Sequence, residues 1–126
     1  MGLPWGEEVV PASYAGHPGL VFRQRPRTFA ELLFGVDRWA DRTFLVHGER
    51  RIGFGQFFTA VRDARDTLAA LGIRRGDRVL LLAYNSPEWV LALWAIWSIG
   101  AVPILGNRWW SHPEAAHCAN LCAPGA

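Results

Sequence analysis

A chain of 126 residues, 51% hydrophobic and 19% charged, can bury a core of its own, which excludes global disorder and any dependence on disulfides or a metal for folding. Its 13 basic and 11 acidic residues leave a net charge of +2, and no basic run exceeds Arg50-Arg51 or Arg74-Arg75, so the charge is too weak and too scattered for a nucleic-acid footprint. Every basic residue is an arginine; the sequence has no lysine.

The first eight residues lack the basic and apolar regions of a secretory signal, and Gly6 stands where a myristoylation signal needs Ser or Thr. Residues 1–27 carry four of the eight prolines, at 4, 11, 18 and 26, and show no apolar period, so they are expected to form an irregular arm. Thr28-Phe29-Ala30-Glu31 reads as a capping box. Phe29, Leu32, Leu33, Val36, Trp39 and Ala40 then recur at helical spacing, predicting one amphipathic helix over 29–40.

Thr43–His47 and Arg51–Phe54, separated by Gly48-Glu49, predict a β-hairpin. Phe57, Val61, Ala64, Leu68 and Leu71 space as a second helix over 55–71, closed by Gly72 in the left-handed position. Val79–Ala83 is a continuous apolar run, the pattern of a parallel strand covered on both faces. Ser86 as N-cap, Pro87 as first helical residue and Gly100 as terminator bound a third helix, and Ala101–Leu105 returns as a strand. Strand, helix, strand make a right-handed crossover. Ser111-His112-Pro113-Glu114 opens a final helix reaching Cys122. The fold class expected is α/β: a partial layered domain over 28–126 with a parallel βαβ unit, an N-terminal helix and a β-hairpin.

Trp89–Leu105 is uncharged over 17 residues, the lower limit for a membrane span, but Gly100 and Pro103 interrupt it. Membrane association is therefore the rival reading, not the expected one. Gly53-Phe54-Gly55-Gln56-Phe57-Phe58 sits where a dinucleotide fingerprint would lie, yet its third glycine is Phe58 and no acidic residue closes a second strand; a turn before a helix explains it better. His112, His117, Cys118 and Cys122 all fall on one short helix, a poor arrangement for zinc, and the two cysteines read as small half-buried groups rather than a disulfide. Asp63 and Asp66, interleaved with Arg62 and Arg65, read as a solvated helix face. Ser86 and Ser111 are N-caps, and no nucleophile elbow is present. Trp94 and Trp97 read as core, while Trp109-Trp110 either pack on the following turn or rim an apolar pocket.

Laid end to end, "RIGFGQFFTAVRDARDTLAALGIRRGDRV" and "LLLAYNSPEWVLALWAIWSIGAVPILGNRWW" resemble the N-terminal part of the adenylate-forming superfamily, specifically ATP-dependent acyl-CoA synthetases of fatty-acid type. The resemblance covers Thr28–His117; Phe54 stands where the family often has Tyr, and Gly106 interrupts the usual passage before Asn107. It implies an ATP-, Mg- and coenzyme A-dependent ligase in a complete member, with a Ser/Thr/Gly-rich loop ending in Pro-Lys-Gly and a distal lysine, neither of which has a counterpart here. The expectation is a truncated ligase acting as scaffold, cytoplasmic, not catalytic alone, with no catalytic, cofactor-binding or metal-binding residue assigned in this stretch. Its expected partner is the remainder of the ligase or a second copy, joined through an open sheet edge.

Overall fold

The computed structural model describes residues 6–35 and 37–124. In chain order it has β1 (Val9–Tyr14), β2 (His17–Phe22), α1 (Phe29–Phe34), a 3-10 turn (Asp37–Trp39), β3 (Thr43–His47), β4 (Arg50–Gly53), α2 (Phe54–Ala70), β5 (Arg78–Leu81), α3 (Pro87–Ile99), β6 (Val102–Leu105) and α4 (His112–Cys122). The strands form three two-stranded sheets: β1–β2 and β3–β4 antiparallel, β5–β6 parallel.

The segment expected to be an irregular arm contains a hairpin. Ala15 and Gly16, both at positive φ (49° and 83°), make the two-residue turn that suits a twisted ribbon. Counting from the turn-flanking pair Tyr14↔His17, Pro18 and Pro11 both fall in the alternate pairs, Ser13↔Pro18 and Pro11↔Leu20, where the N–H faces away from the partner strand. A ribbon of two strands therefore tolerates both prolines without losing a ladder bond.

The first helix is shorter than its apolar stripe. Thr28 Oγ1 accepts from Glu31 N at 3.1 Å, but the Glu31 carboxylate takes the N–H of Arg27, at 2.6 Å, rather than that of Thr28. Gly35 caps α1 by donating to Glu31 O. Glycine costs about 1 kcal/mol in a helix interior, and beyond it Ala40 N donates to Asp37 O and Arg42 N to Trp39 O as turn bonds. Trp39 still reaches the interior, 5.8 Å from the Phe54 ring, from the 3-10 turn. Val36, the other member of the stripe beyond Phe34 apart from Ala40, lies outside the described residues.

From α2 onward the elements follow the sequence pattern closely. Two buried clusters hold them. Leu33, Phe57, Phe58 and Val61 join α1, the β3–β4 hairpin and α2 to α3, while Ile73, Val79, Ile96 and Ala101 seat α3 on the parallel pair. Ser86 Oγ accepts from Trp89 N at 3.1 Å at the start of α3, and Gly100 closes it in the left-handed conformation. The parallel pair is incompletely covered among the described residues: Val79 is buried, whereas Leu105 on the same face and Leu82 and Val102 on the opposite face remain exposed, against the expectation of a strand covered on both faces. Within β6 the residues that donate toward β5 are alternate ones, Val102 N to Asp77 O flanking the ladder on one side and Gly106 N to Leu81 O on the other. Pro103 therefore faces away from β5.

Alpha3 has 13 residues, about 20 Å of helix against the roughly 30 Å of a bilayer core. Among the described residues no helix is long and apolar enough to cross a membrane.

Candidate functional site

Beta5 and β6 run parallel in register, Leu81 opposite Leu105, so the loops that follow them leave the sheet at the same end. Between those loops lies an open cleft of about 370 Å³, lined by Ala83, Tyr84, Asn85, Trp89, Gly106, Asn107, Arg108 and Trp109. The crevice outside the carboxyl ends of parallel strands is where open α/β sheets receive ligands.

Gly106 is the hinge of the second loop. Its N–H bonds Leu81 O at 3.0 Å, and a Cβ there would meet Leu82 Cδ1 at 2.9 Å and Trp110 Cζ3 at 3.3 Å, so the backbone lies directly on the strand's side chains. Asn107 Oδ1 accepts from Trp109 N at 3.0 Å, and Asn107 O accepts from Trp110 N at 3.0 Å. This tight turn sends Arg108 back over the first loop. Its guanidinium carbon sits 3.5 Å from the Tyr84 ring centroid and 3.6 Å from that of Trp109. Two aromatic rings thus lie against the cation, and its N–H groups are left for an acceptor. Arg108 has no carboxylate partner among the described residues. The amide of Asn107 keeps its own N–H₂ free, since its oxygen is the group engaged by Trp109. The arrangement offers N–H donors of the kind from which an oxyanion accepts hydrogen bonds.

Two carboxylates fix the helices that flank the cleft. Glu114 Oε2 accepts from Ser111 N at 2.7 Å and Ser111 Oγ at 2.8 Å, and these bonds hold its carboxyl below the ordinary carboxylate range. Glu88 is lowered first by its own backbone N–H and then by Arg50, whose Nη2 lies 2.9 Å from Oε1. Both folded-state values are depressed. The stabilisation they supply is therefore complete above the ordinary carboxylate range and is lost as pH falls through the lower folded-state values. Acid titration followed by far-UV circular dichroism should show helix loss in that window, and Glu114→Gln should flatten the curve; an unchanged curve in the variant would assign the acid transition to other groups.

The remaining sequence candidates fall elsewhere. At Gly53–Phe58 the N–H groups of Phe54 and Gly55 donate to Arg42 O and Ala40 O, at 2.9 and 3.0 Å, so the helix start is satisfied by backbone and does not cradle phosphate. Among the described residues no three His, Cys, Asp or Glu side chains gather as a metal site, so His112, His117, Cys118 and Cys122 do not assemble into one. Both cysteines are free and half-buried, and burial, then the Cys122 thiol beside it, pushes the Cys118 thiol up. Arg65 pairs with its neighbour Asp66 at 2.8 Å on an exposed helix face. Trp94 and Trp97 meet edge to face at 5.2 Å, with Phe29 stacked on Trp97 at 4.1 Å. Of the Trp109-Trp110 pair, the first lines the cleft and the second packs on Gly106. Tyr84 and Arg108 were not distinguished by sequence reasoning; their signal is position alone, each lying just past the end of a strand in a parallel pair.

The family model for AMP-binding enzymes matches residues 34–126. The chain belongs to the AMP-binding enzymes. Among curated members it is 38% identical over 91 residues to the salicyl-AMP ligase/salicyl-S-ArCP synthetase of Mycobacterium tuberculosis, covering 68% of this chain and 16% of that one. It is 36% identical over 74 residues to 4-coumarate–CoA ligase 4 of Arabidopsis thaliana, covering 59% and 13%. In three dimensions it is similar to the anthranilate CoA ligase AuaEII in complex with anthranoyl-AMP, with a TM-score of 0.72, 26% identity and coverage of 77% of this chain and 19% of that one. The chain thus corresponds to the N-terminal part of adenylate-forming acyl- and aryl-CoA ligases, and it spans about one sixth or less of the curated relatives named, 13% and 16%. The mixed α/β architecture with its parallel pair agrees with the fold expected from the residues.

Proposed function

We propose that this stretch serves an adenylate-forming acid–CoA ligase as scaffold and as part of the cosubstrate site, with the Arg108 clamp receiving an anionic group of a phosphate-bearing cosubstrate, ATP or coenzyme A. The observation that carries the reading is the guanidinium 3.5 and 3.6 Å from two ring centroids at the carboxyl ends of the parallel strands, with no carboxylate partner among the described residues. Arg108 and the Asn107 amide would hold the anion; ATP, when bound, supplies the adenylyl group in such ligases. The resemblance assigns the adenylating role to a lysine, and these 126 residues contain none, so the activation of the acid is not performed by this stretch. Fatty acids were the acid class expected from the resemblance. The named relatives bear the names of salicylate, coumarate and anthranilate, which widens the proposed class to aryl acids.

Titration of the chain with coenzyme A and with ATP, followed by the fluorescence of its tryptophans, tests the reading. Binding of at least one is expected, weakened about tenfold or more in Arg108→Gln, the scale of one charge-assisted hydrogen bond. Equal binding by the variant would remove Arg108 from the site. Pyrophosphate release by the purified chain with ATP and benzoate or palmitate would overturn the scaffold reading.

A second reading is favoured by the exposed Leu82, Val102 and Leu105 on the parallel pair, 46%, 49% and 51% accessible. There the sheet would be completed by further ligase chain or by a second copy. Size-exclusion chromatography with light scattering separates a self-associating chain from a monomer.

A further inference from the structure

At the opposite end of the parallel pair, where β6 begins, a second cleft of about 550 Å³ opens between the hairpin turn, the start of α1 and the end of α3. Arg27 and Arg75 both line it, and among the described residues no acidic side chain does. Neither guanidinium has an ion-pair or hydrogen-bond partner among the described residues. The stem of Arg75 is held against Gly100, where an added Cβ would come within 3.2 Å of Arg75 Cγ. One wall is the Phe29–Trp97 pair, stacked at 4.1 Å and 11°. Of the three hydroxyl-bearing residues in the lining, Ser98 Oγ donates to Ala95 O at 2.7 Å and Thr28 Oγ1 accepts from Glu31 N at 3.1 Å, while Tyr14 is exposed. The charged side chains that line this cleft are both cationic, and part of its wall is aromatic.

Two uncompensated guanidiniums in one cleft attract an oxyanion and offer it forked donors. A stacked aromatic wall favours a flat apolar body beside that anion. We propose that this cleft is a second binding site, for a small oxyanion carried on an aromatic body, with Arg27 and Arg75 taking the carboxylate or phosphate and the Phe29–Trp97 pair packing the ring. Arg75 also lies at the carbonyl end of α3, where a cation is favourable to the helix itself. The site does not depend on the cosubstrate role of Arg108.

The test is a titration of the full chain with benzoate, phenyl phosphate and inorganic phosphate at constant ionic strength, read by the indole N–H signal of Trp97 in two-dimensional NMR. A saturable shift is expected with benzoate or phenyl phosphate, and which of them binds more tightly separates a carboxylate from a phosphate ligand. Arg27→Gln and Arg75→Gln should each weaken binding about tenfold, while Arg108→Gln should leave it unchanged. Because Arg75→Gln also touches the end of α3, its fold is checked by circular dichroism, and Arg27→Gln alone decides if that variant is destabilised. No saturable shift, or a shift that survives in the Arg27→Gln/Arg75→Gln double variant, would overturn the site. Loss in Arg108→Gln alone would place the ligand in the other cleft, and binding of inorganic phosphate as tight as that of the aromatic anions would overturn the aromatic class.

Discussion

Phe57→Ala is expected to lower the unfolding free energy by about 3–5 kcal/mol, the range for removing a buried aromatic ring. Phe57 is 3% exposed and packs with Leu33, Phe58 and Val61, and its ring centroid lies 4.7 Å from that of Phe44. The ring is the point at which α2 touches both α1 and the β3–β4 hairpin, so the cavity left by alanine is bounded by three elements, none of which can close it alone. A domain of this size has about 5–15 kcal/mol in total, and the variant should therefore unfold at markedly lower denaturant concentration or temperature. Asp63→Ala, on the exposed side of the same helix, should stay within about 0.5 kcal/mol of the parent. Equal shifts for the two variants would mean that α2 does not face the core as described.

Gly100→Val should be the next most damaging change, costing about 2 kcal/mol or more. Gly100 sits at φ 81° and ψ 18°, and its N–H closes α3 by donating to Ile96 O and Trp97 O. A side chain in this region costs about 1–2 kcal/mol, and a β-branched one is the worst case. The new Cβ would also press on the Arg75 stem, 3.2 Å away. Gly100→Ala should cost less than the valine, and Gly19→Ala, at a position with open space and no positive φ, should be nearly neutral. Denaturant titration of the three variants orders them; a valine no worse than alanine would show that the helix end relaxes out of the left-handed conformation.

Most of the second half of the chain was legible because its local signals agree with its packing. Ser86, Pro87 and Gly100 bound α3 by cap chemistry, and the Phe57, Val61, Leu68 spacing of α2 is the face that meets the core. The first half misled in two places for identifiable reasons. Pro11 and Pro18 read as breakers because a sequence does not say which side of a strand an N–H faces. The stripe from Phe29 to Ala40 kept helical spacing across Gly35, yet the backbone changed to a 3-10 turn there while Trp39 still reached its apolar neighbour. Membership of the family was legible from phrases in order. The clamp was not, because Tyr84 and Arg108 are brought together only by the parallel register of Leu81 with Leu105 and by the close seat of Gly106.

The orientation of Pro103 limits how the parallel sheet can grow. On the side of β6 away from β5 the backbone lacks a donor at that residue, so a strand laid there would leave a carbonyl without a hydrogen bond, at a cost of about 1–3 kcal/mol if buried. On the other flank, Arg78 and Leu80 of β5 carry no such gap. Addition of a third strand is therefore directional: the sheet has one receptive border and one that is chemically blunted, and any chain segment that extends it finds its full complement of main-chain partners beside β5.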